Sequence, residues 1–264
     1  MYQKIIKDLE KLKNPAKAKI LQGFFKTGLD QYGEGDVFLG ITVPEQRQVA
    51  KKYLQNTDLA DLQKMLNSKI HEHRLVALLI LVAKFNSLDC HSRASGNPGI
   101  ATHHKTNFLD PRLRGNATKY LDKKKIFEFY LKNTQHINNW DLVDLSAPNI
   151  VGKHLFSIKD TKIIYKLVRS KNLWERRISV LATFTFIKEN QFADALKIAK
   201  ILLTDKHDLI HKAVGWMLRE IGKRDVKTLE EFLNKHYKTM PRTMLRYAIE
   251  KLDDKKRKFY LNKT

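Results

Sequence analysis

Apolar residues recur at intervals of three and four along most of this chain, with no sustained alternation of two. Leu59-Ala60-Asp61-Leu62-Gln63-Lys64-Met65-Leu66 and Phe192-Ala193-Asp194-Ala195-Leu196-Lys197-Ile198-Ala199-Lys200-Ile201-Leu202 show it plainly. That period places the apolar side chains on one stripe of a helix and predicts an all-α fold. Helix-length stretches are separated by short polar breaks such as Lys171-Asn172 and Asp205-Lys206-His207-Asp208. Short breaks imply antiparallel neighbours.

A weak internal repeat lies over this pattern. Arg74-Leu75-Val76-Ala77-Leu78, Arg177-Ile178-Ser179-Val180-Leu181, Lys212-Ala213-Val214-Gly215-Trp216 and Arg242-Thr243-Met244-Leu245-Arg246 each begin with a cation and run into an apolar helix. Helix-pair repeats of the HEAT and armadillo kind have periods of about 40 to 47 residues, and related arrays are shorter. Equivalent positions in such a solenoid line one face, so Arg74, Arg177, Lys212 and Arg242 are expected as a stripe of cations along a concave surface, where a polyanion would bind. For any one of them, a cation at a polar helix edge is an equally good account.

One region lacks the helical stripe. From Ser87 to about Thr118 the chain crowds Gly96, Pro98, Gly99, Pro111 and Gly115 together. Such residues punctuate helices. We expect one domain over residues 1–264, interrupted by an inserted surface loop at about 88–118. Two of its stretches, Ser92–Gly99 and Phe108–Gly115, resemble peptides translated from palindromic repeats that invade bacterial genes.

Charge then narrows the partner. Lys and Arg total 50 against 28 acids, a net charge of +22, in a chain with 42% hydrophobic residues. That is enough apolar material for a core and enough positive charge to favour a polyanion, with nucleic acid ahead of a membrane surface. No signal peptide or spanning segment is visible. Cys90 is the only cysteine, so no internal disulfide or multi-cysteine zinc site is expected. His91, His103 and His104 fall in the loop without thiols or spaced carboxylates. We read them as solvated and expect neither metal nor cofactor. A monomer in a reducing cytoplasm fits best.

Against this charge, Asn138-Asn139-Trp140-Asp141-Leu142-Val143-Asp144 sets an indole and a carboxylate four residues apart on one helix face. An acid facing phosphates is repelled, so Asp144 at a polyanion surface implies a task. Downstream stand Leu173-Trp174-Glu175-Arg176-Arg177-Ile178 and Ile210-His211-Lys212-Ala213-Val214-Gly215-Trp216-Met217-Leu218-Arg219-Glu220. Trp140, Arg177 and Trp216 follow at about one helix pair per step, a spacing that can bring all three to one cleft. The plainer readings are core packing for each tryptophan, above all Trp174, and a surface salt bridge for Asp144. Gly215 inside a helix costs about 1 kcal/mol against alanine, which points to close approach by a backbone or a ligand.

These residues resemble the AlkD-type DNA alkylation repair glycosylases, a family of HEAT-like helical solenoids. Phe24-Phe25-Lys26-Thr27-Gly28, Tyr32-Gly33-Glu34-Gly35-Asp36-Val37-Phe38-Leu39-Gly40-Ile41 and Val43-Pro44 are similar to that family's opening signature. With Asn-Asn-Trp-Asp-Leu-Val-Asp, Trp-Glu-Arg-Arg and Gly-Trp-Met-Leu-Arg-Glu in order, the resemblance spans the chain outside the insertion.

The resemblance implies an α-α superhelix and a monofunctional hydrolase of base excision repair. Its substrate is duplex DNA carrying cationic N3- or N7-alkylated purines, processed without flipping the base into a tight pocket. It assigns catalytic roles to Asp144, Trp140, Arg177 and Trp216. Asp144 stabilises the oxocarbenium-like sugar and orients water. The two indoles face the cationic lesion and sugar, with cation–π terms of about 0.5 to 2 kcal/mol. Arg177 holds a phosphate, and family register favours it over Arg176. The resemblance also decides DNA against RNA, which charge leaves open. The alternative is a non-catalytic HEAT-like module that binds bent or damaged DNA. A protein-interaction scaffold is a third reading that leaves the charge unexplained.

Overall fold

The computed structural model describes residues 1–90 and 111–262. The chain falls into two compact units, Met1–His136 and Ile137–Thr264. Among the described residues the regular structure is helical, apart from one isolated bridge between Val37 and Ile70. No helix among them is long and apolar enough to cross a membrane.

The first unit holds α1 (Tyr2–Lys11), α2 (Pro15–Gln22), α3 (Val43–Tyr53), α4 (Leu59–Leu66), α5 (His71–Cys90) and α6 (Pro111–Lys132). Their starts follow from local chemistry. Asn14 caps α2 by accepting from the Lys17 amide at 3.0 Å, with Pro15 in the first turn, where its missing N–H costs nothing. Asp58 caps α4, and Thr42 with Glu45 forms a capping box on α3.

The glycine- and proline-rich stretch has narrower margins than expected. Leu88–Cys90 finishes α5, and residues 111–118 open α6. Proline is well tolerated at a helix start, so Pro111 marks a beginning where composition suggested a loop. The rest of the expected insertion, with His91, His103 and His104, lies outside the described residues.

Between α2 and α3 the opening motif is irregular, yet it is fixed to α5. The buried Glu72 carboxylate accepts hydrogen bonds from the amides of Leu39 (2.9 and 3.0 Å) and Gly40 (2.8 Å), with a longer one from Ile41 (3.3 Å). Gly40 adopts φ +84°, and a Cβ there would lie 2.1 Å from the Asn14 carbonyl oxygen, so only glycine fits. Nearby, Arg74 Nη2 donates to Asp36 Oδ1 at 2.6 Å, and His71 Nδ1 lies 3.4 Å from Asp36 Oδ2, all three side chains buried. The His71 ring also stacks on Phe38.

The second unit holds α7 (Trp140–Ala147), a π-helical turn Pro148–Gly152, α8 (Lys153–Ile158), α9 (Lys162–Leu167), α10 (Leu173–Lys188), α11 (Ala193–Ile201), α12 (Asp208–Gly222), α13 (Val226–His236), α14 (Arg242–Ala248) and α15 (Asp254–Leu261). The polar breaks supply the caps: Asn172 caps α10 and His207 caps α12. Arg177 of α10 bonds the Leu209 carbonyl of α12, and Phe184 of α10 meets Trp216 of α12, both at a separation of 32 residues. A constant offset along two helices means that they run parallel. Arg219 and Glu250, just past α14, continue the order. The helices α10, α12 and α14 thus form one layer of a helical repeat. Tyr165 of α9 donates to Asp194 of α11, joining the helices that precede α10 and α12 in sequence. The apolar stripes fill the space between, with Ile178, Leu181, Ile198, Ile210, Val214, Leu218 and Leu245 all buried.

Replacing Glu72 by alanine strands amides of the buried loop. It should cost about 3 kcal/mol or more in urea unfolding, whereas Glu72→Gln keeps an acceptor and should lose less. Equal losses would mean that the carboxylate is not what holds the loop.

Candidate functional site

Asp144 and Arg177 meet in the second unit as a fork-to-fork pair. Arg177 Nε donates to Asp144 Oδ1 at 2.8 Å and Nη2 to Oδ2 at 2.7 Å, while Nη1 donates to the Leu209 carbonyl. Planar guanidinium against planar carboxylate is a geometry lysine cannot reproduce. The Arg177 side chain is 5% exposed and that of Asp144 18%, so the acid is the less enclosed of the two. Burial pushes the Asp144 pKa above the ordinary carboxylate value; Arg177 pulls against that shift and Asp141 adds to it.

Trp140 opens α7, where the Asn139 side chain accepts from its amide at 2.8 Å, and helical geometry sets its indole on the Asp144 face one turn away. Trp216 lies on the same face of α12 as Leu209 but two turns further on, a rise of about 10 Å. Its indole packs at 5.8 Å from the Phe184 ring and donates from Nε1 to Glu220 Oε1 at 3.3 Å. The structure therefore joins Asp144 to Arg177 directly and sets Trp216 beside that level rather than on it. Trp174 is buried, as core packing requires.

The remaining expected cations differ in setting. Lys212 is 40% exposed and pairs with Asp208 at 2.7 Å. Arg242 opens α14 and donates to the Leu261 carbonyl at 2.7 Å. Arg74 belongs to the first unit, where it is buried against Asp36 and the Ser68 carbonyl. Arg176 is committed elsewhere, to Asp205 and to the carbonyls of Ser170 and Lys171. Its neighbour Arg177 alone reaches the acid. Among the described residues no group of three metal-capable side chains occurs.

Sequence reasoning passed over Phe184, Lys188 and the holding role of Glu220. The Lys188 ammonium sits 4.5 Å from the Phe184 ring centroid, and Phe184 touches Trp216. The signal was available, because 184 and 188 lie seven and eleven residues past Arg177 and so share its helix face. Gly215 has a clear cause. A Cβ there would come within 2.5 Å of the Met244 carbonyl oxygen and the Tyr247 side chain, so α14 is the close neighbour that demands glycine.

A layer of parallel helices bearing a forked acid–arginine pair defines an all-α helical-repeat protein. Comparison identifies the family. A family model described as DNA alkylation repair enzyme matches residues 5–252, and the chain belongs to that family. Its fold is similar to that of a predicted DNA alkylation repair enzyme from Enterococcus faecalis, at TM-score 0.63 and 16% identity over 92% of this chain and 97% of that one. It is also similar to AlkD2 from Streptococcus mutans, at TM-score 0.53 and 18% identity over 80% of this chain and 91% of that one. No curated protein matches the chain.

Gly215→Ala should force α12 and α14 apart and lower stability by about 1 to 3 kcal/mol, read as a fall in Tm of the full chain. An unchanged Tm would show that the close approach carries no packing role.

Proposed function

We propose that this protein is a DNA glycosylase that hydrolyses the N-glycosidic bond of cationic N3- or N7-alkylated purines in duplex DNA. The observation that carries the reading is the Asp144–Arg177 pair: a carboxylate held by two hydrogen bonds, with 18% of its side chain exposed. An alkylated purine bearing positive charge departs as a neutral base when the bond to C1′ breaks. The electron pair leaves with it, and the sugar gains oxocarbenium character. A fixed carboxylate close to that carbon stabilises the developing charge without reorganising.

Each Asp144 oxygen spends one lone pair on Arg177 and retains capacity to accept from a water. That water adds to C1′ and passes one proton to Asp144, which returns it to solvent, completing the hydrolysis. Arg177 acts first through Asp144, fixing its plane, and offers a phosphate only its remaining N–H donors. Trp140, one turn from the acid, and Trp216, held by Glu220, present π faces to cationic groups. Lys188 supplies exposed positive charge for the backbone of the duplex, with Lys212, which a phosphate would have to draw from its pair with Asp208, and Arg242 at the start of α14 as further contacts. The reading does not lean on Arg74, whose guanidinium is already spent on Asp36.

One observation favours a second reading, a non-catalytic module for bent or damaged DNA. Both oxygens of Asp144 are engaged by Arg177, as in a purely structural ion pair.

Duplex DNA containing 7-methylguanine or 3-methyladenine separates the two. The intact protein should release free base in the presence of EDTA, and Asp144→Asn should cut the rate by about a hundredfold or more while duplex binding persists. No release from either lesion would leave the binding module as the surviving reading.

The acid must be ionised to stabilise a cation, and its pKa is raised. Excision should therefore fall as pH drops, with a midpoint above the ordinary 3.8. A single-turnover profile flat down to that value would contradict an ionised Asp144 in the reaction.

A further inference from the structure

The helices α11 and α13 of the second unit carry none of Asp144, Arg177 or Trp216, yet between them lies a groove of about 270 Å³. Lys197 and Lys200 line it from α11, and Lys235, His236 and Glu231 line it from α13. The three lysines are exposed, and no ion pair holds any of them among the described residues. Some other lysines of this unit are neutralised: Lys212 by Asp208, Lys223 by Glu220 and Lys256 by Glu230. His236 is fixed in place by Phe232, ring centroids 4.7 Å apart.

Three unneutralised ammonium groups around one concavity repel one another, with Glu231 as the only acid on its rim. A stable arrangement of that kind is most favourable when an anion fills it. We propose that α11 and α13 form a phosphate-binding groove, in which Lys197, Lys200 and Lys235 contact the oxygens and His236 donates from its ring. The ligand chemistry is a tetrahedral phosphate, free or within a nucleic-acid backbone. Three rotatable ammonium donors on opposite walls suit a compact, many-oxygened anion better than a planar carboxylate, which an arginine fork would match.

His236 is also the reporter. Burial lowers its pKa, and the charges of Lys200 and Lys235 lower it further. A phosphate in the groove screens those charges and adds its own, so the pKa should rise. Facing the ring are Lys197 and Lys200 on α11 and Glu231 and Lys235 on α13. At equal pH and ionic strength, the phosphate and chloride series differ only in the anion.

The test follows the His236 ring protons by NMR in the full chain, assigned with His236→Asn. Inorganic phosphate is added against sodium chloride at equal ionic strength, and a lesion-free DNA duplex is added in a parallel series. The groove predicts a saturable rise in the His236 pKa with phosphate beyond the chloride control. Replacing Lys197, Lys200 and Lys235 together by glutamine should weaken that response about tenfold or more. These side chains are exposed, so the variant should fold, and an unchanged thermal melt verifies it. A response to duplex at far lower phosphate concentration identifies a nucleic-acid backbone as the source; a response to inorganic phosphate alone identifies a free phosphate. If neither moves His236 beyond the chloride control, or the triple variant responds as the parent does, the groove does not bind phosphate.

Discussion

The guanidinium of Arg177 ties three helices of the second unit together. It grips the Asp144 carboxylate on α7 with two donors and the Leu209 carbonyl on α12 with a third, while standing on α10. A buried charge tolerates this only when its partner has the matching geometry, because an unpaired guanidinium in the interior costs several kcal/mol. Helix placement and charge placement are therefore one constraint. The acid cannot shift without unseating the arginine, and the arginine cannot turn without releasing α12.

That coupling bears on what the family membership means for this chain. Holding a carboxylate rigid serves a cation-stabilising role, since a preorganised charge loses nothing to reorganisation when positive charge develops nearby. Burial then works in the opposite direction, pushing the proton affinity of Asp144 up.

Much of the architecture was legible because helices with one apolar stripe repeat at three and four, and α4 coincides with Leu59–Leu66 as read from that stripe. The polar breaks became Asn172 and His207 caps for the same local reason. Register was harder. Cation-to-cation spacing set Lys212 against Arg177, whereas the helices align Leu209 with Arg177. The two alignments differ by three residues, a little less than one turn, so they leave nearly the same face pointing the same way. Glycine at 115 and proline at 111 concealed the start of α6, because each is as compatible with a helix margin as with a loop. The exclusive pairing of Arg177 with Asp144, and of Arg176 with Asp205, depends on tertiary contacts that two adjacent arginines do not announce.

The Glu72 carboxylate has a consequence for assembly. A row of amides turned toward one point is the form backbone takes when it captures an anion from outside. Here the anion belongs to the chain itself and arrives on α5, more than thirty residues after the amides it serves. Without that helix, the amides of Leu39, Gly40 and Ile41 lose the acceptor that the folded unit gives them. Order in the opening motif is thus borrowed from an element that comes later in the chain.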